Sequence, residues 1–207
     1  IKSNGKIAMK LPEGTRLIGV RMATENDDVM LITAKGRAIR FAATDVRVFK
    51  GRDSTGVRGI RLAEGDRVVS MSVIRHFEAD PADRVAYLKM RRAVAGALDD
   101  GAEADEDEEA VAEAAITQER YAEMSAAEDL ILTITARGAG KTSSSFDYPL
   151  RGRGGQGVMA MDKAMRGGEL VASFPVESDD QIMLATSTGQ SIRVPVDGIS
   201  FRSRSAE

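Results

Sequence analysis

Cysteine is absent from this chain of 207 residues, which excludes disulfides, thiolate metal sites and a thiol nucleophile. Histidine is nearly absent too. The single His76 leaves no partner for an imidazole metal cage or a Ser-His-Asp triad, and it reads as an ordinary surface or linker residue. No signal-peptide pattern and no apolar run of membrane-spanning length is visible, so a soluble protein in a bacterial-type cytoplasm, with no membrane partner, is expected. Apolar residues make up 43% of the chain, enough for one or two domains to bury a core. The ten methionines read as core filling.

What the chain does contain is repetition. Gly5-Lys6-Ile7-Ala8-Met9-Lys10-Leu11 returns 51 positions later as Gly56-Val57-Arg58-Gly59-Ile60-Arg61-Leu62, and Glu13-Gly14-Thr15-Arg16-Leu17-Ile18 returns at the same offset as Glu64-Gly65-Asp66-Arg67-Val68-Val69. Leu31 to Gly36 has counterparts ending at Gly138 and Gly189, which are again 51 apart. Each copy holds short β-branched runs around Lys35-Gly36, Arg137-Gly138 or Thr188-Gly189, where a hairpin needs a residue that tolerates positive φ. Val57 to Leu62 and Arg67 to Val73 supply two further strands. Four short strands in about fifty residues form a unit that cannot bury both faces alone and stacks on its neighbours. The expected class is all-β, with propeller-like blades of four antiparallel strands.

The expected division is a half repeat over 1–23, a complete repeat over 24–75, an insertion over 76–127, a second complete repeat over 128–177 and a partial one over 178–207. The chain begins and ends in the middle of the pattern, so a fragment of a longer protein is expected. Asp80-Pro81 is a helix N-cap followed by proline, with helical apolar spacing to Leu98, and a second helix is expected over Glu108 to Met124. Between them, eight carboxylates in eleven residues from Asp99 to Glu109 predict a mobile stretch. Charge divides along the same line. Residues 76–128 sum to -10 and the remainder to +7, hidden inside an overall -3. A basic repeat body points to a polyanionic partner.

Two phosphate motifs fail on context. Arg137-Gly138-Ala139-Gly140-Lys141-Thr142 resembles the end of a phosphate-binding loop, but the first glycine of that pattern is replaced by Thr135. Gly152-Arg153-Gly154-Gly155-Gln156-Gly157 fits a dinucleotide fingerprint formally, yet the repeat register puts a strand where a helix is required. No catalytic constellation is present, and no cofactor is expected in this segment.

At Asp28-Val29-Met30-Leu31, Lys35-Gly36-Arg37-Ala38-Ile39-Arg40-Phe41, Thr55-Gly56-Val57-Arg58-Gly59-Ile60-Arg61-Leu62 and Asp180-Gln181-Ile182-Met183 the chain closely resembles the C-terminal domain of the bacterial DNA gyrase A protein. The resemblance covers everything except the insertion. It implies a six-bladed β-pinwheel, whose blades exchange strands and whose basic rim wraps duplex DNA for ATP-dependent negative supercoiling. It also implies as partners the rest of the gyrase A protein and the gyrase B protein, in an A2B2 type II topoisomerase, with ATP and Mg used elsewhere in that assembly. The family's active-site tyrosine lies in another region, so Tyr87, Tyr121 and Tyr148 inherit no role. Its Gln-Arg-Arg-Gly-Gly-Lys-Gly box is missing, and Arg151 to Gly157 reads as a degenerate counterpart whose glycines let backbone approach phosphate. The related C-terminal domain of topoisomerase IV and a protein-binding propeller are the competing readings.

The candidate DNA contacts are Lys35, Arg37, Arg40, Lys50, Arg52 and Arg58 in the first complete repeat, Arg137, Lys141, Arg151 and Arg153 in the second, and Arg193, Arg202 and Arg204 in the last. Strand alternation leaves Arg40 and Arg193 equally able to face a neighbouring blade.

Overall fold

Tight turns set the register of every repeat. In the computed structural model, which describes residues 3–97, 115–161 and 168–206, Gly36, Gly138 and Gly189 adopt φ near +85° (+85°, +84° and +85°). Each donates its N–H to a threonine carbonyl three residues back, on Thr33, Thr135 and Thr186. The hydroxyl of the same threonine accepts the N–H one residue after the glycine, from Arg37, Ala139 and Gln190. A Thr-x-x-Gly turn therefore closes each hairpin through both backbone and side chain.

These hairpins are β1 (Asp27–Thr33) with β2 (Arg37–Ala42), β4 (Leu130–Thr135) with β5 (Gly140–Ser144), and β8 (Gln181–Ala185) with β9 (Ser191–Pro195). β3 (Val68–Arg75) pairs antiparallel with β1, and β7 (Leu170–Val176) pairs the same way with β4. The first sheet runs β3-β1-β2-β6, and its last strand, β6 (Val158–Met159), comes from the following repeat. Blades thus exchange strands. The second sheet holds three strands and the third two among the described residues.

The sequence reading of Val57 to Leu62 as a strand is not met. This segment is the counterpart of β6, and β6 pairs backward onto the β2 of the repeat before it. Residues 3–26 contain no strand to receive it.

Successive blades bury aliphatic faces on one another. Met30, Ile32 and Ile74 of the first blade pack with Ile131, Tyr148 and Leu170 of the second. Burial holds the Tyr148 phenol up at about 12. Leu132, Ile134 and Val176 of the second blade pack against Ile182, Leu184 and Val196 of the third. Val29 and Val46, the counterparts of Ile131 and Tyr148, instead line an open groove of about 590 Å³ together with the exposed Val48. Three consecutive repeats bring Leu17, Val68 and Leu170 to one shared cleft of about 410 Å³, which places β3 and β7 innermost and β6 at the outer edge.

The insertion is built on a recurring turn. Asp27 accepts the N–H of Thr24, and Asp180 accepts that of Glu177, each three residues back. At the remaining junction Asp129 accepts the N–H of Arg75 at 2.8 Å across 54 residues. The inserted segment replaces a two-residue turn and leaves the blade junction unchanged. Within it, α1 (Pro81–Ala95) starts at Asp80, whose carboxylate accepts the N–H of Asp83, and stops at Gly96 in the left-handed region. α2 (Gln118–Ala127) starts at Thr117, whose hydroxyl accepts the N–H of Arg120; of the helix expected over Glu108 to Met124, residues 115–117 are not helical and 108–114 lie outside the described residues. The expected mobile acidic stretch also falls outside the described residues.

The two helices carry a small aromatic core of their own. Tyr87, Leu88 and Met124 close over Phe146 of the second blade, and Phe77 meets Phe146 edge-on at 5.7 Å. Burial raises the Tyr87 phenol well above its ordinary range. Arg84 donates to the Phe146 carbonyl, Arg92 pairs with Asp147 at 2.9 Å, and Arg91 lies 4.3 Å over the ring of Phe201. No described helix is long and apolar enough to cross a membrane.

Candidate nucleic-acid interface

A basic-small-basic triplet recurs in three successive repeats. Lys50-Gly51-Arg52, Arg151-Gly152-Arg153 and Arg202-Ser203-Arg204 follow the single 3-10 turns at Ala43–Asp45, Ser145–Asp147 and Val196–Gly198. Each later triplet is anchored against the preceding blade. The Arg151 N–H donates to the Arg40 carbonyl, and the Arg202 N–H donates to that of Thr142, both at 2.8 Å. These bonds run along β2 and β5 on the side where β6 also pairs, so the two later triplets lie on the outer rim.

Of the thirteen candidate cations, nine are exposed: Lys35, Arg37, Lys50, Arg52, Arg58, Arg137, Arg151, Arg153 and Arg193. Arg202 is half-buried. The Lys35 ammonium donates to the Glu64 carbonyl and its N–H donates to Asp66, which ties one hairpin tip to the adjacent turn.

Three candidates are corrected, because their charges are spent inside the protein. Arg40, 5% exposed, pairs with the fully buried Asp28 at 2.7 Å and donates to the carbonyls of Ser145 and Arg75. Lys141, 1% exposed, donates to the carbonyls of Ser203, Arg204 and Ala206. Arg204, 5% exposed, donates to the carbonyls of Asp147 and Met159. A guanidinium or ammonium engaged this way is removed from any surface a phosphate reaches.

His76 is also corrected. It is half-buried, with Nδ1 2.8 Å from the Asp28 carboxylate, so the insertion's first residue joins the ion cluster of the first blade.

The glycine-rich loop has a different use from the expected one. Gly157, with φ +71°, sits so close to Ala38 that a Cβ would meet the Ala38 carbonyl oxygen at 2.2 Å. The Gly154 N–H donates to the Gly59 carbonyl, and Gly155 accepts from the Arg61 N–H. The Lys10 N–H donates to Ser54 in the same manner one repeat earlier. These glycines let one repeat's backbone meet another's. The Gly138 to Thr142 run forms a hairpin turn and the start of β5.

Exposed Arg47, stacked 4.4 Å over Phe49, and exposed Arg61 also stand by the triplet segment of the first repeat. Aligning the repeats in register would have drawn in Arg61, whose counterpart 51 residues earlier is Lys10, together with the junction carboxylates; Arg47 has no basic counterpart. No cluster of metal-ligating side chains occurs among the described residues.

The family model described as "DNA gyrase C-terminal domain, beta-propeller" matches residues 27–75, 129–176 and 180–206. The DNA gyrase A protein of Granulibacter bethesdensis is 48% identical over 99% of this chain, and that of Rickettsia bellii 39% identical over 99%. The Escherichia coli K12 protein of the same name is 32% identical over 100% of it. The chain spans only 23%, 22% and 18% of those relatives' lengths. Among solved structures, the C-terminal domain of DNA topoisomerase IV aligns with a TM-score of 0.66 at 18% identity, over 97% of this chain and 46% of that one. The DNA gyrase A C-terminal domain aligns at 0.65 with 19% identity, over 97% and 51%. These two likenesses speak for the fold alone.

Proposed function

This chain belongs to the DNA gyrase C-terminal β-propeller family, and from that premise we propose that it binds and bends duplex DNA along its outer rim without reading base sequence. The observation that carries this reading is a basic triplet that recurs in three successive repeats and is anchored at the same rim position in the two later ones. Wrapping arbitrary DNA calls for phosphate contacts spread along a curved edge, since phosphates are the same in every sequence. Lys50, Arg52, Arg58 and Arg151 are exposed there, and the repeat body carries +7 against -10 in the insertion.

In this reading the domain supplies no chemistry of its own. It works within a gyrase A protein in the bacterial cytoplasm, beside the gyrase B protein, and ATP with Mg drives supercoiling elsewhere in the holoenzyme. The relatives' shared identity as DNA gyrase A proteins favours this over a topoisomerase IV role. Titration of unrelated duplexes across a salt series tests it. Five phosphate contacts give a slope of log K on log salt of about -4.5, equal for all sequences. A flat salt response would instead favour a protein-binding scaffold.

A further inference from the structure

We infer that the two cations of each of the two later basic triplets divide their work: the first meets phosphate, and the second is a positioning residue that clamps one blade to the next. The inference rests on the DNA-binding reading above for the first cation and on geometry alone for the second. Arg153 donates through Nε to the Asp45 carbonyl at 2.9 Å and through Nη1 to the Arg58 carbonyl at 3.2 Å. One repeat later Arg204 donates through Nε to the Asp147 carbonyl at 2.8 Å and through Nη1 to the Met159 carbonyl. Asp147 and Met159 are the repeat counterparts of Asp45 and Arg58. Two arginines in different blades thus make the same pair of bonds to the same two backbone positions. One bond reaches the 3-10 turn and the other the exchanged-strand segment of the repeat behind.

A guanidinium suits this task because its Nε–H and Nη–H form a fixed fork that spans two carbonyls, whereas an ammonium is a point donor on a flexible stem. The clamp operates whether the arginine is exposed, like Arg153, or buried, like Arg204. Solvent exposure of a rim arginine is therefore necessary but not sufficient for phosphate contact. What distinguishes the first cation is that its backbone is pinned beside the preceding sheet, by the Arg151 and Arg202 N–H bonds, while the clamp two residues later fixes the loop that carries it.

Arg153→Lys separates the roles, because it keeps the charge and loses the fork. In the full-length protein, hydrogen exchange of peptides spanning 58–61 and 151–157 should quicken about fivefold or more as the interblade bonds loosen. DNA affinity should fall with the salt slope unchanged. Arg204→Lys should do the same at 147 and 159. Arg151→Gln, in contrast, should make the salt slope shallower by about 0.9. Parent-like exchange and affinity in Arg153→Lys would overturn the clamp and return Arg153 to an ordinary phosphate contact. If the parent itself binds DNA without salt dependence, the DNA reading fails, while the exchange comparison still judges the clamp.

Discussion

The first and second blades share one backbone plan and solve its interior with opposite chemistry. The Asp27 and Asp129 junctions, the Thr-x-x-Gly hairpin turns and the arginine clamps coincide in the two. Yet where the first blade buries Asp28 and Arg40 as an ion pair, the second has Leu130 and Thr142. Where the first has Ile39, the second buries the Lys141 ammonium under three carbonyls. The groups that recur either bond to backbone or carry backbone bonds, and such bonds are indifferent to what fills the core. Side chains between blades are free to drift in pairs, provided each buried charge keeps its partners.

The sharpest way to break that comparison is to exchange the two solutions. Asp28→Ala leaves the Arg40 guanidinium buried, with carbonyl partners but no counter-ion, and should cost about 3–5 kcal/mol. Asp28→Leu combined with Arg40→Thr installs the second blade's pair in the first, and should cost much less than Asp28→Ala alone. Chemical denaturation of the three proteins checks this. A double variant as unstable as the single one would show that the cluster, with His76 on its other side, has no apolar equivalent.

The insertion gives a second, smaller test. If the junction carboxylate alone sets the blade angle, His76 to Glu128 is replaceable by the Glu-Asn turn that links Thr24 to Asp27. The shortened protein should keep its strands, while stability falls because Phe146 loses Phe77, Tyr87 and Met124 and Asp147 loses Arg92. Stripping an aromatic cluster of its cover is worth about 2–4 kcal/mol. Removal of a segment carrying -10 should also tighten DNA binding severalfold at low salt, a gain that shrinks as salt rises. Equal binding across the series would show that the insertion is no electrostatic competitor and acts through its packing on the second blade.

Local pattern made much of this legible. The 51-residue offset, the hairpin glycines and the Asp80-Pro81 helix start are all short-range signals, and the structure follows them. What escaped depends on a neighbour in space. Arg40, Lys141 and Arg204 look like any rim cation until the next repeat is laid over them, and strand alternation left Arg40 open for that reason. Val57 to Leu62 has strand composition, but a strand needs an edge to pair with. Gly154 and Gly157 announced close approach correctly and misnamed what approaches, since Gly59 and Ala38 backbone satisfies the requirement that phosphate was expected to meet. His76 carried no pattern at all, because its partner Asp28 lies 48 positions away.

The smallest effect is a pH dependence at the plain junction. Asp27 is held below the ordinary carboxylate range by the backbone N–H of Thr24 and then by its hydroxyl. Glu169 is lowered first by its hydrogen bond from Arg67, at 2.8 Å. A carboxyl whose folded pKa is depressed contributes stability that is fully present above its unfolded value, about 3.9 for Asp and 4.3 for Glu. That contribution is lost as pH falls through the folded value. Both groups face solvent, so the change should be slight and salt-sensitive. Asp27→Asn keeps an acceptor for the Thr24 N–H and removes the titration. Thermal midpoints of parent and variant should therefore differ most near pH 6 and converge as the pH is lowered toward 3, while Glu169→Gln converges in the same direction. A gap between parent and Asp27→Asn that stays constant over this range would mean that the junction is held by turn geometry alone, with no contribution from the carboxylate charge.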